Sequence, residues 1–267
     1  MSLGYINPIA FHLFTKPIYW YGIIIATTVF FAYLLADREA TKRGLKQDTM
    51  LDLLLIALPI AFIFARAYYV IFRWEYYAGD FSSMIAIWDG GIAIYGGLIG
   101  GFLVLYFFAR RRGIKIIKLL DIIAPSLLVG QMLGRWGNFF NHEAYGEIVT
   151  KQYLENRFIP NFIIENMYID GAYRQPTFLY ESLWCLIALV ILLLIRNKLA
   201  QSEVFASYLI LYGVERFIVE GMRTDSLYIG SLRVSQVLSL VFVVGSLIYL
   251  IVLNTKFKDK KILYRES

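Results

Sequence analysis

Cysteine and histidine are nearly missing from this 267-residue chain, which has one of the first and two of the second. A lone Cys185 excludes a disulfide framework and any multi-cysteine metal site. Set inside an apolar run, it reads as a small packing residue. His12 and His142 cannot build a histidine cluster, so a metal centre is not expected. Charge is sparse as well, at 17% of residues. No repeat with a period of about 20–50 residues and no low-complexity tract interrupts the chain.

Apolar residues fill the space those absences leave. They make up 59% of the chain, the mean hydropathy is +0.60, and aromatics reach 17%. A soluble domain is nearer half apolar, so this composition belongs to the membrane class. Abundant Trp and Tyr suit helices anchored at two bilayer interfaces. The net charge of +6 could suggest nucleic acid in a soluble protein, but the positions of the charges decide otherwise.

Seven apolar runs, each of about 20 residues, are long enough to cross a bilayer as helices. They fall at about 18–36, 51–72, 92–109, 119–139, 177–195, 204–222 and 234–253. Lipid offers no partner to backbone polar groups, so such runs must be helical. Sixteen of the 26 basic residues lie in the connections 37–50 and 110–118, just after the fifth run, and in the tail. Only Lys16, Arg73, Lys151, Arg157, Arg174 and Arg233 lie on the opposite side. Basic loops stay in the cytoplasm, so the amino terminus is expected outside and the carboxyl terminus inside. The first run lacks a basic leader and a small-residue cleavage site, and reads as a span. One longer exterior segment, about 141–175, reads as a small cap on a single integral membrane domain covering 1–267.

Four arginines remain, Arg66, Arg135, Arg216 and Arg223, all within or at the edge of apolar runs. A charge at mid-bilayer costs at least about 2.5–3.5 kcal/mol unless paired or hydrated, so each marks a candidate functional position. The bland alternative is an arginine that snorkels or joins helices through a carboxylate. Tyr212, Arg216, Glu220 and Arg223 share one helix face, with Glu220 in reach of both arginines. One carboxylate between two guanidinium groups leaves positive charge for an anionic ligand to balance, although Glu215 beside that face can offset it. The fourth run ends in GRWGNFFNHEAYG, residues 134–146. Its glycines are expected to allow close backbone approach and to break the helix near the exterior interface, and Arg135 offers a planar fork that matches phosphate. Asn138, Asn141 and Glu143 add a polar density that ending a helix does not require. The run DGGIAIYGGLIGG, residues 89–101, reads as small-residue helix packing, and Tyr19, Trp20 and Tyr21 as an aromatic belt. Pro176 suits a helix start, and Glu181 one turn inside is either an arginine partner or a reactive carboxylate.

GRWGNFFNHEAYG, together with YGVERFIVEGMR at 212–223, GGIAIYGGLIGG at 90–101, QPTFLYE at 175–181 and WYG at 20–22, closely resembles the bacterial phosphatidylglycerol–prolipoprotein diacylglyceryl transferases. The segments run in family order and cover nearly the whole chain. The resemblance implies an all-α polytopic membrane protein, a bundle of seven helices with an exterior cap, in the bacterial cytoplasmic membrane. It implies transfer of a diacylglyceryl group from phosphatidylglycerol to the lipobox cysteine of a prolipoprotein signal peptide. The thiol becomes a thioether and glycerol 1-phosphate leaves, with no cofactor, metal or nucleic acid involved. Arg135 is then the headgroup contact, Arg216 an essential residue, and Tyr21, Asn138, Glu143 and Gly146 functional positions. Tyr95 stands where many relatives have a histidine ascribed the role of base. A tyrosine, with an unperturbed pKa of about 10, is a poor base at neutral pH.

On that reading Arg135 and Arg216 stabilise charge gathering on the departing phosphate. Glu220 and Asn138 orient them, with Arg223 and Tyr212 on the same face. Glu143 or His142 collects the thiol proton and Tyr95 relays it or donates a hydrogen bond. A transporter or flippase for an anionic lipid or solute is the alternative, since arginine–glutamate networks also line such pathways. The absence of a duplicated, broken-helix architecture argues against it. A membrane scaffold is a third reading, under which neutralising Arg135, Glu143 and Arg216 changes nothing.

Overall fold

The computed structural model describes residues 5–87, 90–224, 226–257 and 261–266. Asp89 at the head of the glycine-rich run, and Lys258 and Lys260 of the basic tail, lie outside them. The chain forms two compact units, Met1–Leu35 with Ile123–Ser267, and Ala36–Ile122.

A hairpin of β1 (Ile9–Leu13) and β2 (Lys16–Tyr19) leads into α1 (Trp20–Lys42). The helix therefore starts two residues later than the hydropathy run and continues six residues past it. Long helices follow at α2 (Thr49–Phe72), α5 (Ile94–Arg112) and α6 (Ile116–Phe140), with short helices α3 (Trp74–Tyr77) and α4 (Phe81–Ile85) between α2 and α5. After α6 come α7 (Lys151–Glu155), α8 (Asn161–Asn166), α9 (Thr177–Ile195), α10 (Glu203–Met222) and α11 (Val234–Lys256). Six of these helices, α1, α2, α5, α6, α9 and α11, are long and apolar enough to cross a membrane. The seventh expected run is α10, which matches them in length at 20 residues but carries Glu203, Glu215, Arg216 and Glu220. Leu55, Ile63, Leu194, Val241 and Ile251 on the apolar helices are exposed. Lipid is the solvent that suits such faces, and the protein is a multi-pass membrane protein. Basic residues expected in connections, Arg38, Lys42 and Arg110–Arg112 among them, continue helices instead. Lys and Arg are good helix formers, so the helix persists once the chain leaves the apolar region.

In the Ala36–Ile122 unit, α5 packs along α2. A Cβ on Gly96 would lie 2.4 Å from the Phe64 carbonyl, and one on Gly100 would lie 2.8 Å from the Phe64 Cβ. The glycines of this run serve close helix packing, as expected. Arg66 of α2 is 6% exposed. Its Nε donates to the Met84 carbonyl at 2.9 Å, its Nη2 to Ser83 at 2.6 Å, and its Nη1 to Gly90 and Gly91 at 2.6 and 2.7 Å. The guanidinium also lies 5.1 Å from the Tyr77 ring centre.

The other unit has two apolar cores. One joins Leu128 of α6, Cys185 and Leu192 of α9, Val204 and Tyr208 of α10, and Tyr264. Cys185 is thus the packing residue its apolar run suggested. The second lies within the segment expected as a cap: Leu154, Ile163, Ile164 and Met167 pack with Phe139 and Phe178. Residues 148–174 include a three-stranded sheet of β3 (Ile148–Val149), β5 (Ala172–Arg174) and β4 (Tyr168–Ile169), in the order β3-β5-β4. A last hairpin, β6 (Tyr228–Ile229) with β7 (Leu232–Arg233), feeds α11.

Candidate functional site

The expected helix break at Gly134 and Gly137 does not occur, because α6 runs unbroken to Phe140. Intrahelical hydrogen bonds hold glycine in place when its missing side chain lets a neighbour approach. At Gly137 that neighbour is Tyr21, whose ring carbons would lie 2.9 and 3.1 Å from an added Cβ. The chain then turns through two non-glycine left-handed residues, His142 (φ 54°) and Ala144 (φ 55°). The Glu143 amide donates to the Asn138 carbonyl at 2.9 Å. The Gly146 amide donates to Gln175 at 2.9 Å, and Gly146 forms an isolated β-bridge with Arg223. A Cβ there would meet the Gln175 Cβ at 2.8 Å. The 134–146 tract therefore carries its polar groups from the end of α6 to the residue that follows α10.

Three helices meet beside it and are pinned by side-chain bonds. Trp136 Nε1 on α6 donates to Ser182 Oγ on α9 at 3.1 Å. Trp184 Nε1 on α9 donates to the Leu211 carbonyl on α10 at 2.9 Å. Gln131 Nε2 on α6 donates to the Tyr208 hydroxyl on α10 at 3.0 Å. Tyr212 stacks on Tyr208 with ring centres 5.9 Å apart.

Within this frame lies an arginine–glutamate array. Arg135 Nη2 is 2.5 Å from Glu181 Oε2, and Arg216 Nη1 is 3.7 Å from the same oxygen. Arg223 Nη1 is 3.9 Å from Glu181 Oε1. Arg216 Nη2 lies 2.6 Å from Glu220 Oε2, as the helical spacing predicts, and 3.5 Å from Ser235 Oγ. Arg233 holds the same turn of α10 through the Glu220 carbonyl. The carboxylates are sealed, with Glu181, Glu220 and Glu215 at 1%, 1% and 2% exposure. The guanidinium side chains keep 20%, 16% and 12% exposure for Arg135, Arg216 and Arg223. Glu181 changes the charge balance expected from α10 alone: three carboxylates now stand among three guanidinium groups. The arginine side chains are thus more open than the carboxylates they face, although Arg216 Nη1 itself is buried.

Most of the other candidates gather around this array. Tyr21 lies within electrostatic reach of both Glu143 and Arg135. Glu143 is exposed, and its Oε1 accepts from Asn141 Nδ2 at 3.4 Å. His142 takes part in packing: its ring stacks on Tyr5 at 4.0 Å, with Asn166 nearby. Asn166 Oδ1 in turn accepts from the Ile6 amide at 2.8 Å. Burial pushes the His142 pKa below its ordinary 6.5, with Asn166 acting in the opposite sense. Tyr95 is half-buried in the first turn of α5, in the Ala36–Ile122 unit. Glu181 carries more of the site than its spacing revealed. The signal for it was an acidic residue inside the apolar run that follows Pro176.

Apolar hollows flank the entrance of α1. One of about 700 Å³ is bordered by Tyr19, Tyr21, Gly22, Ala26 and Asn141. A second, of about 310 Å³, lies between Trp20, Ile24, Thr28, Leu133, Trp136 and Phe140.

Residues 8–252 match the family described as prolipoprotein diacylglyceryl transferase. A protein of Bacillus cereus (strain Q1) named phosphatidylglycerol–prolipoprotein diacylglyceryl transferase is 54% identical over 252 residues, covering 94% of this chain and 93% of the relative. Proteins of the same name from Bacillus anthracis (strain A0248) and Bacillus mycoides (strain KBAB4) are each 53% identical over the same shares.

Proposed function

The chain belongs to the prolipoprotein diacylglyceryl transferase family, and on that premise we propose that Arg135 and Arg216 bind the phosphate of phosphatidylglycerol during the transfer. The reaction it catalyses moves the diacylglyceryl group of phosphatidylglycerol to a prolipoprotein, the first step of lipoprotein maturation. The acceptor is the thiol of the lipobox cysteine in the signal peptide. Its sulfur, as thiolate, forms a bond to the terminal glycerol carbon of the diacylglyceryl group while the bond from that carbon to the phosphate oxygen breaks. The electron pair stays with the oxygen, and glycerol 1-phosphate leaves.

The phosphate enters as a singly charged diester and departs as a monoester that gathers further negative charge. Cations fixed in advance stabilise that change more than they stabilise the bound substrate. The observation that carries the reading is the pairing of Arg135 and Arg216 at 2.5 and 3.7 Å from one buried carboxylate oxygen, with both arginine side chains partly exposed. Glu220 fixes Arg216, Asn138 anchors the loop through its carbonyl, and Arg223, Tyr212 and Gly146 border the same space. Glu143, exposed and with its charge acting on Tyr21, receives the thiol proton. A free thiol has a pKa of about 8.5, which the nearby cations lower. The enzyme itself needs no nucleophilic cysteine, in keeping with the burial of Cys185.

The charge asymmetry of the connections supports an exterior amino terminus and a cytoplasmic carboxyl terminus. That orientation puts the 134–146 tract outside, where the precursor presents its cysteine. Purified protein should transfer labelled diacylglycerol from phosphatidylglycerol to a lipobox peptide, and Arg135→Ala should lose most of the rate. Normal turnover by Arg135→Ala and Arg216→Ala would sink the proposal.

A further inference from the structure

The geometry points to Glu181 as a positioning residue that holds the phosphate-binding arginines and opposes the charge of the phosphate they bind. This rests on the proposed phosphate role of Arg135 and Arg216. The carboxylate is the common focus of the array. One of its oxygens faces Arg135 of α6 at 2.5 Å and Arg216 of α10 at 3.7 Å, and the other faces Arg223 at 3.9 Å. Glu181 sits in the first turns of α9, whose first residue, Thr177, donates its hydroxyl to the Ala144 carbonyl at 2.5 Å. The helix turn that carries the hub therefore also ties down the 134–146 loop.

The contacts are close in distance but not aligned as hydrogen bonds. Neither oxygen of Glu181 has an aligned partner among the described residues, and Arg216 Nη1 has none either. Arrays held by charge alone leave guanidinium N–H directions open to a second acceptor. A phosphate that meets the partly exposed arginine side chains adds an acceptor without displacing Glu181. Its negative charge is then opposed by the carboxylate behind the arginines. Glu181 thus has two effects of opposite sign. It fixes the geometry that speeds bond breaking, and it weakens the hold on the product monoester.

Glu181→Gln separates the two, because the amide keeps the size and removes the charge. Initial rates are measured with phosphatidylglycerol and a lipobox peptide, alongside competitive inhibition by glycerol 1-phosphate. The expected result is a kcat lower by about tenfold or more together with inhibition tightened by about threefold or more. A lower kcat with unchanged or weaker inhibition would mean a purely structural role and overturns the inference, as does an unchanged kcat. If Glu181→Gln does not fold, Glu181→Asp carries the test: it keeps the charge and retracts it by one methylene. Its kcat should fall with inhibition within twofold of the parent, and parental kcat or markedly altered inhibition overturns the inference. Arg135→Ala runs beside both variants. Parental turnover there defeats the phosphate assignment itself, which is a different failure from either Glu181 outcome.

Discussion

Arg66 and Arg135 are both arginines in apolar helices, yet their surroundings are opposite in kind. Arg66 gives hydrogen bonds from all three of its nitrogens to four backbone carbonyls of its own unit, between Ser83 and Gly91. Each bond from a charged donor is worth about 1.5–3 kcal/mol, so four offset a burial cost of about 2.5–3.5 kcal/mol. Such a guanidinium is saturated and orders the connection leading to α5. Arg135 instead faces a carboxylate without hydrogen-bond alignment and keeps 20% of its side chain exposed. It retains donors that an incoming anion can use. On the proposed reading, an intramembrane arginine is told by its acceptors: carbonyls go with a strut, and a carboxylate with a partly open side chain goes with a binding site.

The largest effects should fall on the open arginines. Arg135→Ala and Arg216→Ala are expected to lower transfer by about 100- to 1000-fold, the loss seen when a preorganised charge stabiliser is removed. Initial rates with labelled phosphatidylglycerol check this. The strut should fail differently. Arg66→Ala leaves four carbonyls without their donor and should cost about 3 kcal/mol of stability, read as a lower melting midpoint. Its folded fraction should bind glycerol 1-phosphate as the parent does. A parental melt for Arg66→Ala would break the contrast.

Gly137→Ala tests the frame around the open arginines. The added methyl meets the Tyr21 ring at 2.9 Å, so the tyrosine must move away from α6. A displacement of that order should reduce kcat by about 10- to 100-fold while leaving the melt close to parental.

The smallest effect concerns His142, whose pKa burial pushes down. The folded state then binds this proton less readily than the unfolded chain. Its contribution to stability is complete above a pH of about 6.5 and is lost as pH falls through the lower folded value. Melting midpoints between pH 7 and pH 5 should fall more steeply for the parent than for His142→Gln. Equal slopes would show that the ring is not the source.

Much of this contrast was hidden in the sequence, while the spans were plain. Six apolar runs became helices that suit a bilayer because long hydrophobic segments leave the backbone no alternative. The Arg216–Glu220 pair was legible because both residues share one helix, where spacing fixes distance. Glu181 lies 46 positions from Arg135 in the chain, and no periodicity relates two separate helices. Arg66 looked equal to the other three arginines because its acceptors are carbonyls, which every residue type supplies. The glycines at 134 and 137 were half legible: the close approach expected of them occurs at Gly137 and the helix break does not. Glycine marks both a break and a close approach, and only the Tyr21 ring distinguishes them. The short hairpins escaped notice because strands of two to five residues leave little alternation to read.

Titration calorimetry with glycerol 1-phosphate, on the parent, Arg135→Ala and Arg66→Lys, tests most directly whether acceptor type separates site from strut. The account predicts matching affinity for the parent and Arg66→Lys and no measurable binding by Arg135→Ala. Binding by Arg135→Ala at parental affinity would contradict it.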